Sequence, residues 1–367
     1  MSHNEQLFYT AAVAFEAARQ LSSYSAGHRL RRLHGHSFLA TVRAALPEGW
    51  AAFPGDEVET LRSRLVTVTA PLDYQHLNAV LDQPTDQNLA RWLRKELELG
   101  GIRGVGVQST QHSGADLGQT DHAHIWRRYA FQAAHRLPHV AAEHKCGRMH
   151  GHRFEVILHA DQSVQVSPIG IDYDYLDQLW APLHATLHHT CLNDIPGLEN
   201  PTSELISSWI WQRLQPQLPG LSSVTVYETA SCGARFDGSC YRIWKDMTLD
   251  SALRLKRAPE SDPRRRIHGH TYTLRLHLQA ELDALMGWTR DFGDIKEKFD
   301  PIFRRLDHQP LHEAVGLEDN DLATLTRWIR REAASSLPEL ERIDLFEARG
   351  CGAILTWGSV EPAVMRP

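Results

Sequence analysis

Cysteine is scarce in this chain: five among 367 residues, at Cys146, Cys191, Cys232, Cys240 and Cys351. So odd and sparse a set excludes a disulfide-stapled scaffold and fits a reducing compartment, where an important cysteine acts as a thiol. Long apolar runs are missing as well, so no membrane-spanning helix is expected. The opening MSHNEQLFYT lacks the charged stretch and apolar core of a secretory signal, and a cytoplasmic location is the expectation. Nor is there an excess of basic charge. Lys and Arg number 39 against 45 Asp and Glu, a net −6, which argues against a nucleic-acid partner. With 42% apolar and 23% charged residues, neither disorder nor a collagen-like repeat fits. The length suits two or three domains at roughly 150 residues each. What the chain does have is histidine, 22 in all.

Their placement exposes a repeat. The tripeptide HGH occurs at His34–His36, His150–His152 and His268–His270, spaced by 116 and 118 residues. Each HGH opens an alternating stretch (SFLATVRAAL, RFEVILHADQ, TYTLRLHLQA) that reads as a half-buried strand. A leucine-led motif follows at Leu72, Leu187 and Leu306, offset by 38, 37 and 38 residues from the first His. A tryptophan-bearing helix follows at Trp92, Trp209 and Trp328, offset by 58, 59 and 60. The chain is a divergent tandem triplication, with copies over residues 1–120, 121–238 and 239–367. Turns as short as GQTD at Gly118–Asp121 and DGS at Asp237–Ser239 require the copies to pack side by side.

Each copy reads strand, strand, helix, helix, strand, strand. In the second copy the strands are expected near Trp126–Ala134, Arg153–Ala160, Val224–Thr229 and Ala234–Asp237. A helix is expected near Tyr173–His188, and a second after Thr202 or Ser203 as its cap.

The chemistry concentrates in this copy, in FQAAHRLPHVAAEHKCGRMHGHRF from Phe131 to Phe154. Two apart on a strand, His150 and His152 share a face, and His135 closes a three-imidazole cluster if the preceding strand pairs with theirs. Either this is a zinc site, or HGH is a strand start and His135 a surface residue. Cys146, four residues before His150, is either a thiolate favoured by a metal and basic neighbours or a buried inert thiol. Basic residues precede every HGH. Lys145 and Arg148 flank Cys146 and suit a phosphate, whereas Arg29, Arg31 and Arg32, and Arg264 to Arg266, read as solvated surface.

Across AAHRLPHV, EHKCGRMHGH, LNDIPGLENPTSE and VYET, the second copy resembles the 6-pyruvoyltetrahydropterin synthase superfamily. The short spacing in CGRMHGH is most similar to the 6-carboxytetrahydropterin synthase branch of queuosine biosynthesis. The resemblance implies an α+β T-fold, a four-stranded antiparallel sheet with two helices. Three such units would close a twelve-stranded barrel, here within one pseudo-trimeric polypeptide, with two pseudo-trimers able to stack as a homodimer. It also implies Zn²⁺ on His135, His150 and His152, Cys146 as catalytic thiolate, and Glu228 of VYET as anchor of the pterin ring.

The family's Asp-His pair falls at His188-His189 in this copy, so the aspartate before His189 is missing. The first copy has Arg19 at the first ligand position, Leu30 for the cysteine, Asp73-Tyr74 for the pair and Ser109 for the glutamate. The third has Leu253 and Arg264 at the first two positions but keeps Asp307-His308 and Glu347. Complementary losses imply one working site per chain, joining copy 2's zinc and Cys146 to Asp307 and His308 of copy 3. Capping at a helix end is the alternative role for Asp307-His308. The implied activity is a lyase acting on 7,8-dihydroneopterin triphosphate to give 6-carboxytetrahydropterin. Stopping at triphosphate elimination, or binding pterin without chemistry, are the alternatives.

Overall fold

The computed structural model describes residues 5–162, 171–314, 317 and 319–358. The opening residues read above for a leader therefore lie partly outside it, as do the outer limits of the first and third copies. In chain order the first copy contributes β1 (Gln6–Arg19), β2 (His34–Ala44), α1 (Glu57–Thr69), β3 (Gln75–His76), α2 (Asp86–Leu97), β4 (Ile102–Thr110) and β5 (Ser113–Leu117). The second adds β6 (Ala123–His135), β7 (His150–Asp161), α3 (Tyr173–Leu187), α4 (Ser203–Leu214), β8 (Leu221–Thr229) and β9 (Cys232–Phe236). The third adds β10 (Tyr241–Leu253), β11 (His268–Leu278), α5 (Phe292–Phe303), α6 (Leu322–Ala333), β12 (Leu340–Ala348) and β13 (Cys351–Thr356). Among the described residues no helix is long and apolar enough to cross a membrane.

The chain forms two compact units. One holds residues 1–121, 246–276 and 296–367. In it β5, β4, β2, β1, β13, β12 and β11 are successive neighbours. The first strand pairs antiparallel with the last, from Gln6↔Thr356 to Thr10↔Gly352, joining the first and third copies in one sheet. The other unit holds residues 122–245 and 277–295, with β6, β7, β8, β9 and the start of β10 as neighbours.

The copies repeat in detail. Phe15 and Phe38 stack across β1 and β2 at 5.0 Å, and Phe131 and Phe154 stack across β6 and β7 at 4.9 Å. Both pairs are buried, each ring contributing about 2–3 kcal/mol of apolar burial. Thr85, Thr202 and Asp321 cap α2, α4 and α6 by accepting the N–H three residues on, which satisfies a donor the first turn leaves open. β6 and β7 are longer than their alternation indicated. Twelve register pairs run from His124↔Asp161 to His135↔His150, so HGH lies inside β7 rather than ahead of it.

Candidate metal and catalytic site

The β6–β7 ladder sets His135 opposite His150 and Ala133 opposite His152. Ring centroids lie 4.5 Å apart for His135 and His150, 5.3 Å for His135 and His152, and 5.0 Å for His150 and His152. Carbonyl oxygens fix two of the rings: His135 Nδ1 lies 3.1 Å from Pro201 O, and His150 Nδ1 lies 2.8 Å from Arg148 O. A proton held on Nδ1 leaves Nε2 as a lone pair, the tautomer a metal ligand needs. His135 Nε2 and His152 Nε2 are buried without a hydrogen-bond partner. Ligand atoms of the three histidines and Glu228 all fall within 4.8 Å of one another. Unpartnered buried nitrogens converging this closely fit a divalent cation of the zinc type. Burial keeps His135 below the usual imidazole range, despite the Glu228 charge, and so in the neutral form that ligation requires.

Glu228 owes its direction to a β-bulge. The β8–β9 register slips between Tyr227 and Thr229, and the extra residue is re-aimed. Its Oε1 lies 3.4 Å from His152 Nε2 and 4.0 Å from His135 Nε2, while Oε2 accepts from Ser203 Oγ at 3.2 Å. Burial pushes this carboxyl up, but His152, His135 and Ser203 outweigh it and hold Glu228 below its ordinary value.

Cys146 sits in a single helical turn, Lys145–Gly147. Its carbonyl accepts from Leu137 N at 2.8 Å and its N–H donates to His144 Nδ1 at 3.2 Å. The thiol is half-buried. Burial and the nearby Glu228 push it up, and Lys145 offsets only part of this. Burial outweighs the one exposed lysine, so a thiolate here would need the nearby metal as well as the basic neighbours. Lys145 and Arg148 are solvent-exposed.

One part of the surroundings was not anticipated from sequence. Residues 277–295 of the third copy belong to the same compact unit as the histidines. Asn200 Nδ2 donates to Met286 O at 2.7 Å, and Thr202 Oγ1 to Gly287 O at 2.5 Å. Glu204, 1% exposed, accepts from Thr289 N at 2.9 Å and Thr289 Oγ1 at 3.2 Å. Burial lifts the Glu204 carboxyl to about 7, with Glu228 adding to the effect. His144 Nε2 lies 3.4 Å from Asp291. The available signal was PTSE, whose glutamate follows the cap into the first turn of α4.

The Asp-His position has a shared structural role. Asp73 Oδ1 accepts from Glu16 N and Asp307 Oδ1 from Asp250 N, both at 2.9 Å. His188 Nδ1 accepts from Gln132 N at 3.1 Å in the same place. The following residues, Tyr74, His189 and His308, all take positive φ, between 53° and 60°, and donate their N–H to the same strand residue. Replacing aspartate by His188 thus preserves the strand anchor. It loses the carboxylate–imidazole pair, and the His188 and His189 rings stack at 3.7 Å instead. In the third copy the pair is intact, with His308 Nδ1 2.9 Å from Asp307 Oδ2. Asp307 and His308 belong to the first unit, the three histidines to the second.

At the equivalent place in the first copy a guanidinium takes the position of the imidazole. Arg19, 4% exposed, pairs with buried Asp86 at 2.7 Å and donates to Pro84 O at 2.9 Å. Asp86 in turn accepts from Ser109 Oγ at 2.7 Å. His36 Nε2 lies 3.3 Å from Arg19, and burial together with that charge drives His36 down to about 4. Such a cluster repels a cation.

A trihistidine centre with a neighbouring carboxylate and thiol, carried on an α+β antiparallel sheet, defines the class. Residues 9–111, 124–239 and 242–357 each match the sequence pattern of the family described as 6-pyruvoyl tetrahydropterin synthase. The chain belongs to this family, as three tandem T-fold units, and is a lyase-type enzyme of pterin metabolism. It is 42% identical over 119 residues to a 6-carboxy-5,6,7,8-tetrahydropterin synthase of Synechocystis sp., covering 30% of this chain and 91% of that protein. A dihydroneopterin monophosphate aldolase of Pyrococcus furiosus is 28% identical over 94 residues, covering 25% of this chain and 79% of its own length. Among solved structures, Caenorhabditis elegans 6-pyruvoyl tetrahydropterin synthase aligns with 32% of this chain and 95% of its own, at 16% identity and a TM-score of 0.30.

Proposed function

We propose that the chain is a zinc-dependent lyase that converts 7,8-dihydroneopterin triphosphate to 6-carboxy-5,6,7,8-tetrahydropterin, releasing triphosphate and acetaldehyde. The oxygen count of that conversion requires one water. The observation that carries the reading is the convergence of His135, His150 and His152 with unpartnered, buried Nε2 atoms at the first and last of them. The Synechocystis relative, at 42% identity, supports the carboxy product.

His135, His150 and His152 would hold Zn²⁺. When bound, the ion supplies Lewis acidity to the substrate's side-chain oxygens and so acidifies the adjacent C–H. Glu228 receives the ring N–H and exocyclic amino group on its carboxylate, which fixes the pterin in register with the histidines. The Cys146 thiol moves protons at the side-chain carbons as base and then acid. Exposed Lys145 and Arg148 take the triphosphate, where mobile cations suit a charged, departing group. Asp307 and His308 are assigned as the second proton carrier because His188 deprives His189 of its carboxylate partner.

The test is metal content per chain together with turnover of dihydroneopterin triphosphate, followed by product mass, in the wild type and in His135→Ala. About one zinc per chain and a carboxytetrahydropterin product, both lost in the variant, is the expected result. A pyruvoyl product mass would replace the carboxy assignment with simple triphosphate elimination. Zinc without turnover would leave pterin binding as the function.

A further inference from the structure

Around its tryptophan, α6 of the third copy carries three arginines, Arg327, Arg330 and Arg331, in TRWIRREA. The second copy has Ser208, Trp211 and Gln212 at these places, in SSWIWQRL. The loop after β10 repeats the contrast: Lys256 and Arg257 stand where the second copy has Pro138 and His139. The proposed chemistry uses none of these charges.

The fold brings the two stretches together. Lys256, Arg257, Arg327 and Arg331 line one cleft of about 500 Å³, with Trp328 and a single carboxylate, Asp319. All six belong to the first unit. Leu253, His268, His270 and Glu347, which occupy the active-site positions of this copy, are not among its walls.

The neighbouring carboxylates engage only part of each guanidinium. Arg257 donates Nε to Asp319 at 2.7 Å and Nη2 to Asp321 at 2.8 Å. Arg327 donates Nε to Glu5 at 2.7 Å, and Arg331 Nε lies 3.7 Å from Glu332. Among the described residues, no hydrogen bond is made by Arg257 Nη1, by either Nη of Arg327 or Arg331, or by Lys256 Nζ. Arg257 and Arg327 are thus oriented along one edge and open at their ends, which suits them to forked contacts with phosphoryl oxygens. Trp328, 2% exposed, closes the inner side of the cleft. Its Nε1 is buried with no acceptor among the described residues, whereas Trp209 Nε1 donates to Pro196 O at 3.1 Å. The inner wall therefore also presents a donor.

The first copy shows the alternative use of such a helix. Arg91 and Arg94 of α2 line a cleft as well, but both are taken up internally. Arg91 donates to Asp121 O at 3.1 Å and to Asn88 Oδ1 at 2.9 Å, and Arg94 to Gly118 O and Asp121. Ser22 and Ser23 replace Lys256 and Arg257 there.

We propose that the cleft on α6 is a binding site for a polyphosphate chain, separate from the metal centre. Four cations against one lining carboxylate match an anion of several charges. The one aromatic wall is too buried to stack a base, so recognition falls on the phosphoryl chain. Inorganic triphosphate and the tail of a nucleoside triphosphate share that chemistry.

Equilibrium dialysis of the full chain against labelled inorganic triphosphate at fixed ionic strength tests it. The comparison is with Lys145→Gln/Arg148→Gln and with Arg327→Gln/Arg331→Gln. An equivalent bound by the wild type should survive in the first variant and weaken at least tenfold in the second. A urea midpoint equal to wild type verifies that the second variant is folded. Lys256→Gln removes a charge that bonds to nothing in the fold, and should weaken the same equivalent several-fold. ATP distinguishes the sources: binding at least tenfold tighter than triphosphate assigns a nucleotide, and equal or weaker binding assigns the inorganic chain. Triphosphate bound equally by wild type and Arg327→Gln/Arg331→Gln overturns the site. So does complete loss of binding in Lys145→Gln/Arg148→Gln, and either result leaves the proposed function standing.

Discussion

Arg19 and His135 stand at the same place in the first and second copies, and each points a nitrogen at the carbonyl of the corresponding proline. Arg19 reaches Pro84 O at 2.9 Å, and His135 Nδ1 reaches Pro201 O at 3.1 Å. The carbonyl is common property of the fold; what differs is the neighbouring charge. In the second copy the far side of the ring faces the carboxylate Glu228 and two imidazoles. In the first, the guanidinium brings its own positive charge, and the carboxylate has moved from the bulge to Asp86 at the start of α2.

The Arg19–Asp86 pair should therefore be a stability element. Arg19→Ala leaves Asp86 buried without its guanidinium partner, a loss expected to cost about 3–5 kcal/mol. Adding Asp86→Ala removes the stranded charge and should recover part of that cost. Urea denaturation of the two variants beside wild type measures both. Equal stability of Arg19→Ala and wild type would mean that the pair contributes nothing.

Much of this was legible in the sequence, and the divide follows sequence separation. The HGH strands, the helix bearing Trp209 and the cap at Thr202 are local patterns, and the structure realises each one. The three histidines needed only the assumption that adjacent strands pair. Contacts between distant residues were not legible. Thr289 on Glu204 joins residues 85 apart, and Asp291 at His144 likewise couples two copies. The exchange of carboxylate between bulge and helix start in the first copy also escaped notice, since Asp86 and Ser109 look unremarkable alone. His188 looked like a simple loss, whereas its ring nitrogen takes over the aspartate's bond to the strand.

Metal binding should follow the imidazoles one for one. His135→Ala and His152→Ala are each expected to lower zinc from about one per chain to a trace, since two histidines make a poor site. Conversely, Leu253→His adds an imidazole beside His268 and His270, which keep the edge-on arrangement of His150 and His152 at 5.4 Å. Zinc content should rise toward two per chain. An unchanged content would show that Arg264, where the second copy has Cys146, bars the cation.

Glu204 gives a pH-dependent stability in the metal-free protein. Its folded-state value, about 7, lies above the ordinary glutamate value. The folded state therefore binds the proton more tightly, and stability falls as pH rises from about 4.5 through 7. Glu204→Gln retains an oxygen for Thr289 and carries no charge. It should be more stable than wild type at pH 8, by on the order of 3 kcal/mol, with the advantage vanishing near pH 4. Denaturation midpoints across that range test the sign.

His308 should carry its proton to a higher pH than a free imidazole, because the Asp307 hydrogen bond and charge raise it. Asp307 is held below its usual range chiefly by the Asp250 N–H, with His308 contributing. Asp307→Asn keeps an oxygen for the Asp250 N–H and removes the charge, so the His308 titration should fall back toward the ordinary imidazole value. The sign for stability is fixed as well. The pair's contribution is present below the unfolded imidazole value and is lost as pH rises through the folded one. Because His308 is 77% exposed, added salt should screen part of the shift. NMR titration of the His308 ring reads both effects, and turnover reads the proposed role. If Asp307→Asn moves the ring's titration and leaves the pH profile of kcat untouched, the pair only anchors the strand and moves no catalytic proton.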